Sequence, residues 1–350
     1  DDPSEYFQTK IFTGDGNDNR AITNDGNSDL QPDWIWFKNR STTNSHNLLD
    51  STRGVGKTLE GTNTNSAEGD TSTRLTSFDS DGFTVRTDPS VNGNGNGIVA
   101  WQWKANGGTT TSFTESGNNP GGTIQTNTTA GFSIITTTGT GNTGTIAHGL
   151  GAVPHLIISK QRSNAENWAV YHHENTSAPE TEILTLNTTD GTADNANGYN
   201  DTAPTSSVFT VHTKNEVNTD ARTYVHYVFT EKKGYSRFGN FIGNGTTDGA
   251  FVYTGFKPAW LMIKETVSGG GWGLWDNKRM PFNTQSVNRL LANSSNAEDA
   301  SNDNRIDFLS NGFKVRTSSG GFNQNATTML YIAFAESPFV SSTGVPTPAR

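Results

Sequence analysis

The sequence contains no cysteine among its 350 residues. This absence excludes disulfide bridges, thiolate metal sites and cysteine nucleophiles, so stability must come from packing, loops and assembly. No stretch approaches the run of about 20 apolar residues that a membrane-spanning helix needs, and no charged-then-apolar signal segment opens the chain. We therefore predict a protein without membrane insertion.

Positive charge is also sparse. The 25 Lys and Arg residues are outnumbered by 34 acidic residues, which gives a net charge of −9, and they are scattered singly along the chain. Nucleic-acid binding depends on clustered Lys and Arg that neutralise phosphates, so we do not expect nucleic acid as a partner.

The chain is rich in glycine, short polar residues and aromatic residues. It carries 38 Gly, 8 Trp, 8 Tyr and 19 Phe, whereas only 17% of its residues are charged. Disordered chains are poor in aromatic residues, so this composition favours short strands joined by polar loops. Asn, Thr and Gly richness with few lysines is common on extracellular and viral β-surfaces, which favours an extracellular location.

A threefold internal repeat organises the sequence. In each copy a proline opens an apolar run that closes on lysine six residues later: Pro32–Lys38, Pro154–Lys160 and Pro258–Lys264. A Gly-x-Gly turn precedes each proline, at Gly14/Gly16, Gly139/Gly141 and Gly243/Gly245. An apolar strand closes each copy, at Ile98–Trp103, Tyr224–Phe229 and Leu330–Phe334. These matched patterns predict three copies of one structural unit.

The offsets also predict the domain boundaries. Repeat 1 covers residues 1–104, repeat 2 covers 130–233, repeat 3 covers 234–339, and a C-terminal tail covers 340–350. Residues 105–129 are mostly Gly, Thr, Ser and Asn, which predicts a flexible linker. Repeats 2 and 3 meet with almost no spacer, so we expect them to be rigidly related.

We predict an all-β fold of three tandem antiparallel β-sandwich domains, of the concanavalin or jelly-roll type. Apolar residues at both alternating positions of a run indicate strands buried on both faces, as in a two-sheet sandwich. Trp34, Ile157 and Leu261 are predicted to lie in the three cores. No stretch has a convincing 3.6-residue apolar period, so we expect less than about a tenth of the residues in helices.

Charged residues recur at one position of the repeat. Asp50 and Asp276 each have an arginine three residues later, Arg53 and Arg279, whereas repeat 2 has His172 at this position and Asn where the arginine would be. We interpret both Asp and Arg sets as structural ion pairs. A glycosidase would need two facing carboxylates, and no pair of acids stands out in that way. We predict that the chain is not an enzyme and has no catalytic residues.

The sequence does not predict a cofactor. Asp15–Asn19 resembles the start of a calcium loop, but Arg20 stands where that loop needs glycine and Gly26 where it needs glutamate. A polar turn is the favoured interpretation, and a bound calcium ion is the alternative. His172 and His173 are neighbours in repeat 2, but a zinc site would require a convergence of histidines that the sequence does not show.

Aromatic residues beside polar loops are the candidates for ligand contact. Sugar rings stack on the faces of Trp and Tyr while polar side chains bind their hydroxyls. On this basis we predict ligand-binding roles for Trp275, Tyr171 and Tyr199.

Several segments of the chain resemble one known group of proteins. Repeat 1 carries Pro32–Lys38, Asp50–Gly54, Ser77–Phe83 and Asn96–Trp103, and the chain closes on Pro338–Pro346. Together these resemble a repeat domain of structural proteins of marine tailed phages, which are described as tail, fibre or lectin-like proteins. The resemblance implies a virion component, although a fold alone does not fix a function.

These observations lead to three functional hypotheses. The first is a non-enzymatic bacteriophage virion surface protein, either a tail-fibre or receptor-binding protein or a capsid or tail decoration protein, that acts by host attachment and assembly. Its partners would be other virion proteins, further copies of itself in a homo-oligomer with a trimer favoured, and a host-surface glycan. The alternative is a carbohydrate-binding module array of a secreted bacterial protein, and the third hypothesis is a polysaccharide-degrading virion enzyme.

Overall fold

A computed structural model of the chain describes residues 2–62, 64–267, 269–284, 287–301, 303 and 305–337. Strands account for 41% of the residues and helices for 7%, which confirms the all-β prediction and the small helical content. Among the described residues, no helix is long and apolar enough to cross a membrane. The predicted C-terminal tail, 340–350, and the segment Pro338–Pro346 lie outside the described residues.

Repeat 1 begins with a short 3-10 helix, Pro3–Glu5. It then contains β1 (Phe7–Thr13), β2 (Arg20–Thr23), β3 (Trp34–Asn39), β4 (Asn47–Asp50), β5 (Lys57–Glu60), β6 (Gly69–Asp70), β7 (Leu75–Asp79), β8 (Gly82–Val85), α1 (Pro89–Asn92) and β9 (Gly97–Trp103).

Repeat 2 is preceded by two strands and also holds a 3-10 helix, Pro179–Thr181. Its elements are β10 (Thr111–Phe113), β11 (Gly121–Asn127), β12 (Phe132–Thr138), β13 (Gly144–Ala147), β14 (Leu156–Gln161), β15 (Trp168–His172), β16 (Glu182–Thr185), β17 (Ala193–Asp194), α2 (Ala196–Tyr199), β18 (Val208–Val211), α3 (Asn215–Asn218) and β19 (Thr223–Phe229).

Repeat 3 follows the order of repeat 1. It contains β20 (Ser236–Ile242), β21 (Phe251–Tyr253), β22 (Trp260–Glu265), β23 (Gly273–Asp276), β24 (Val287–Leu291), β25 (Asp299–Ser301), β26 (Ile306–Leu309), β27 (Gly312–Val315), α4 (Gly320–Asn323) and β28 (Thr328–Phe334).

The three series of strands build sheets in the same order. The large sheets run β1-β9-β3-β4-β5-β6, β12-β19-β14-β15-β16-β17 and β20-β28-β22-β23-β24-β25, with β10 and β11 added beside β12. A smaller sheet accompanies each of them: β2-β8-β7, β13-β18 and β21-β27-β26. Strands β3, β14 and β22 each begin two residues after the repeated proline, where a missing backbone N–H does not interrupt the ladder.

One face of every large sheet contributes to a single apolar cluster, the shared core. Its members include Trp34 and Trp103 from repeat 1, Phe229 from repeat 2, and Trp260 and Phe334 from repeat 3. The rings of different repeats touch, because Trp34 stacks on Tyr227 with centroids 4.3 Å apart and Phe229 meets Phe334 at 5.6 Å. The three repeats therefore do not have wholly separate cores.

The opposite face of each large sheet packs against its smaller sheet. Ile35 of β3 lies in one such cluster, Ile157 of β14 in a second and Leu261 of β22 in a third, all with no exposed surface. This arrangement accounts for the fully buried strands β3, β14 and β22, since alternate residues face two different cores. Trp34 is also buried, but it lies in the shared core.

The prediction of a flexible linker over residues 105–129 is wrong where β10 and β11 lie. Strand β11 pairs with β12 over seven residues, and β10 pairs with β11. The preceding turn is held by the buried Asp33, whose carboxylate accepts hydrogen bonds from the backbone N–H groups of Ala105, Gly107 and Gly108 at 2.7–2.8 Å. Backbone pairing and this carboxylate order a segment that has few apolar side chains.

Candidate functional site

The acidic position of repeat 1 lies at the junction with repeat 2. Arg53 Nε donates to Asp50 Oδ2 at 2.5 Å, and Arg53 also pairs with Glu68 at 2.9 Å. From repeat 2, the hydroxyl of Tyr227 donates to Asp50 Oδ2 at 2.7 Å and Arg162 pairs with Glu68 at 2.8 Å. The side chains of Asp50 and Arg53 have no exposed surface, so this cluster joins two repeats in the interior.

The same cluster recurs where repeat 3 meets repeat 1. Arg279 Nε donates to Asp276 Oδ2 at 2.5 Å and a second guanidinium nitrogen pairs with Glu298 at 2.8 Å. Repeat 1 supplies Trp101 Nε1, which donates to Asp276 Oδ2 at 3.0 Å, and Arg40, which pairs with Glu298 at 2.7 Å. Each of the two predicted structural pairs is thus part of a four-charge junction.

Repeat 2 replaces this cluster where it meets repeat 3. His172 Nε2 donates to the backbone carbonyl of Tyr331 at 3.2 Å, and the Oδ1 of Asn175 accepts from Thr192 Oγ1 at 2.6 Å. The residue of repeat 3 that corresponds in register to Tyr227 and Trp101 is Ile332, which has no polar group to donate to a carboxylate. Burial lowers the pKa of His172 to about 3, so at this position a neutral side chain replaces the aspartate of the other two repeats.

Backbone hydrogen bonds close the three junctions into a ring. The N–H of Glu68 donates to the carbonyl of Arg162 at 2.8 Å, which links repeat 1 to repeat 2. Thr192 donates to Thr266 at 2.8 Å between repeats 2 and 3, and Glu298 donates to Arg40 at 2.9 Å between repeats 3 and 1. All three donors immediately precede the equivalent strands β6, β17 and β25.

The electrostatics of the charged junctions favour the charged form of each arginine. Burial alone would lower the pKa of Arg53, but the neighbouring Asp50, Tyr227 and Glu68 raise it overall. The same balance of burial and acidic neighbours raises the pKa of Arg279. Both Asp50 oxygens are occupied, since Oδ1 accepts the backbone N–H of Arg53 and Oδ2 accepts two further donors. No substrate could reach such a carboxylate without opening the core.

Three buried lysines occupy one repeat position at the ends of β3, β14 and β22. Lys38, Lys160 and Lys264 donate to backbone carbonyls at 2.6, 2.7 and 2.8 Å. Burial lowers the pKa of each to about 8. Lys38 also reaches across a junction to the carbonyl of Ser295 in repeat 3 at 3.1 Å.

The three predicted ligand-binding aromatics lie in the interior. Trp275 has no exposed surface, Tyr171 is 4% exposed and Tyr199 is 3% exposed. Trp275 packs against Phe322, and the Tyr199 hydroxyl is 3.3 Å from Ser159 Oγ. A sugar stacks on a ring face at the surface, so these three side chains are not placed to bind one.

The loop that resembles a calcium site is occupied by hydrogen bonds and ion pairs of the protein. Asp15 Oδ1 accepts the backbone N–H of Asn17 at 2.9 Å and the side-chain amide of Asn92 at 3.2 Å, and Asp18 pairs with Arg86 at 2.8 Å. Within the described part of the chain, no group of three or more His, Asp or Glu residues could hold a metal ion.

A polar cleft lies where repeat 1 meets repeat 3. Its volume is about 350 Å³, and it is lined by Thr43, Asn44, Ser45, Asn47, Glu60, Arg74, Asp88, Ser90 and Ser295. Arg74 bridges the carboxylates of Glu60 and Asp88 along the cleft. Asn47 is only 1% exposed, and its Oδ1 has no hydrogen-bond partner among the described protein groups.

Exposed aromatic residues occur elsewhere, on strand β21. Phe251 is 49% exposed and Tyr253 is 65% exposed, whereas Val252 between them is 6% exposed. A comparison of the three repeats in the sequence could have found them. The equivalent strands β2 and β13 carry only small or polar residues at these positions: Ala21, Thr23, Thr145 and Ala147.

Comparison with known proteins yields one family. No curated protein and no solved structure matches the chain. The family match extends over residues 2–338, a range that spans the three repeats. The chain therefore belongs to the family described as Domain of unknown function (DUF7483).

Proposed function

We propose that this chain is a non-enzymatic surface component of a bacteriophage particle, a tail-fibre, receptor-binding or decoration protein that acts by adhesion and assembly. In this proposal it is located on the outside of the virion, contacts other virion proteins and a host-surface glycan, and forms a homo-oligomer, with a trimer favoured. Each repeat is a sandwich of one large and one small sheet.

The observation that carries the proposal is the direction of the recurring polar side chains. Asp50 and Asp276, the acids at the matched repeat position, point into the junctions and have no exposed surface. A hydrolase would present its acids to a cleft, where substrate and water can reach them. The recurring acids hold the repeats together. Such a structural role is expected in a rigid protein that acts by binding and assembly.

The sandwich interpretation rests on the outer apolar clusters. In repeat 1, Ile35 and Leu49 of the large sheet share a cluster with Ile22 and Phe83 of the small sheet. Repeats 2 and 3 have corresponding clusters. Two antiparallel sheets with such an apolar layer between them are the usual construction of a β-sandwich.

Immunogold labelling of intact particles tests the location directly. Antibodies raised against the purified chain are expected to label the outside of particles that contain it, and antibodies pre-absorbed with the chain serve as the control. Label confined to the lysate of infected cells, with none on purified particles, would contradict the proposal.

A carbohydrate-binding module array is the second candidate, and the polar cleft favours it. The cleft presents hydroxyl, amide and charged groups of the kind that bind sugar hydroxyls. Glycan affinity of the isolated chain, without ordered assembly alongside other virion proteins, would favour this candidate over the first.

A polysaccharide-degrading enzyme is the third candidate, and turnover measurements decide it. We expect no hydrolysis of bacterial polysaccharides by the wild type. Hydrolysis that is lost in a folded Asp50→Asn or Asp276→Asn variant would show that the chain is an enzyme.

A further inference from the structure

We propose that Phe251 and Tyr253 form a platform on which sugar rings of a glycan stack, and that this platform belongs to repeat 3 alone. The inference rests on the proposed function as a host-contacting protein, because it assigns the part of the surface that meets the host glycan.

The geometry of β21 presents both rings on one face. Alternate residues of a strand point to opposite sides, and Val252 points inward to contact the outer core of repeat 3. Phe251 and Tyr253 therefore point outward, about 7 Å apart along the strand. Among the described strands, β21 lies at the edge of its sheet and pairs with β27 alone.

The internal repeat supplies a comparison for this surface. Ile22, Ile146 and Val252 are equivalent, and each is buried beneath its small sheet. The outward positions on either side are Ala21 and Thr23 in repeat 1, which form the same strand without large side chains. The fold therefore does not require exposed aromatic rings at these positions. Apolar rings that are exposed to water without a structural need mark a site of interaction.

Polar groups beside the rings favour a glycan over an apolar partner. Lys314 stands opposite Phe251 on β27, and Asp307 stands opposite Lys314 on β26. Lys314 Nζ is held 2.8 Å from Asp248, a carboxylate that is largely exposed. A sugar ring has an apolar face for the aromatic rings and hydroxyls for such charged neighbours, whereas a protein core contact would leave these charges desolvated.

A glycan array and titration calorimetry test the platform. The full chain is applied to an array printed with bacterial surface polysaccharides and with gluco-, manno- and galacto-oligosaccharides, and the strongest binder is then titrated. The test variant is F251A/Y253T, which places the residues of repeat 1 at these positions. The control is Phe282→Ala, which removes a 70% exposed phenyl ring outside the platform.

We expect the double variant to lose affinity by about tenfold or more and the control to bind like the wild type, with unchanged melting temperatures. Single variants Phe251→Ala and Tyr253→Thr replace the double variant if it does not fold. Equal affinity of the double variant and the wild type would overturn the platform, as would the absence of binding to every printed glycan. If the platform fails either test but antibodies label the particle surface, the proposed function stands without the platform. If the glycan binds through the platform but no antibody labels the particles, the platform stands and the proposed function fails.

Discussion

At the residue scale, the residue type at the recurring position depends on the matching side chain of the neighbouring repeat. Tyr227 and Trp101 each bring a polar hydrogen to a junction, and there the position is aspartate with its arginine. Ile332, the residue of repeat 3 that corresponds to them in register, has no such hydrogen, and there the position is His172, which donates to the backbone carbonyl of Tyr331 instead. A buried carboxylate without donors would be costly, so the two positions are physically coupled.

Removal of one partner from a charged junction should therefore be expensive. We predict that Asp276→Asn lowers the free energy of unfolding by about 3–5 kcal/mol, because Arg279 is left as a buried charge without its closest counter-ion. His172→Asn, at the equivalent position without an arginine, should cost less than about 2 kcal/mol. Urea unfolding of both variants measures the difference, and equal losses would contradict the assigned role of the pair.

Buried histidines predict a loss of stability in acid. Burial lowers the pKa of His46, His172 and His226 to about 3, whereas the unfolded chain takes up these protons near pH 6.5. The contribution of these neutral histidines to the free energy of unfolding is therefore complete above pH 6.5. It is lost as the pH falls from 6.5 towards 3. Glu336 acts in the opposite direction, because burial raises its pKa to about 7.

A matched pair of variants isolates the histidine effect. His226 lies between Ser159 and Thr137 at 2.8 and 3.1 Å, so His226→Gln removes a titrating group from a buried polar site. The fall in the urea midpoint from pH 7.5 to pH 5 should be smaller in this variant than in the wild type. His212→Gln, near the surface, serves as the control for loss of an imidazole, and an equal fall in His226→Gln and the wild type would refute the assignment.

At the element scale, β3, β14 and β22 each carry a buried lysine, which gives the free energy of unfolding a second pH dependence. Their buried lysines have a pKa lowered by burial to about 8, so between pH 8 and the unfolded pKa near 10.4 the unfolded chain binds more protons. Stability should therefore rise as the pH is raised from 7.5 to 9.5. Lys264→Met should reduce this rise, and Lys233→Met, at an exposed lysine, is the control substitution. A wild-type midpoint that is flat or falls would contradict the prediction.

The Gly-x-Gly turns are a second recurring element. A Cβ on Gly14, Gly139 or Gly243 would lie 2.2–2.3 Å from a carbonyl oxygen just after α1, α3 or α4. We predict that Gly139→Ala costs about 1–3 kcal/mol, since the backbone must move to relieve the overlap. Gly320→Ala is the control, because no atom lies within 4 Å of its Cβ. Thermal unfolding compares the two, and a neutral Gly139→Ala would contradict the steric explanation.

The elements differ in how far the sequence could predict them. Strands β3, β14 and β22 were predictable because a proline fixes their start and apolar residues fill both faces. Strand β11 was not, since its pairing is made by backbone groups and its side chains are mostly short and polar. Tyr171 and Tyr199 beside polar loops suggested a surface site, but a polar hydroxyl can also be satisfied inside a core, as Ser159 does for Tyr199.

At the scale of the whole molecule, three repeats close on one another around the shared core. Apolar periodicity shows that a strand is buried on both faces, but it does not show which sheet covers each face. The shared core could therefore not be predicted from the sequence. The ring of junctions accounts for the inward direction of the recurring polar residues. It also leaves the outer surfaces free to differ between repeats, as β21 does.

Assembly is a separate prediction at this scale. We expect the purified chain to form a trimer, because the fibre and decoration proteins that it resembles usually form closed symmetric oligomers. Light scattering should give about three times the chain mass of 37.7 kDa. A stable monomer at the concentrations used for particle assembly would contradict the trimer.

The central claim is that the recurring polar residues hold three repeats together as one body, and calorimetry of the full chain tests it most directly. We predict one unfolding transition in which the calorimetric and van't Hoff enthalpies agree. Asp276→Asn should move this entire transition to lower temperature, because a weakened junction weakens all three repeats. Separate transitions, with only one of them moved by Asp276→Asn, would show three independent domains and contradict the account.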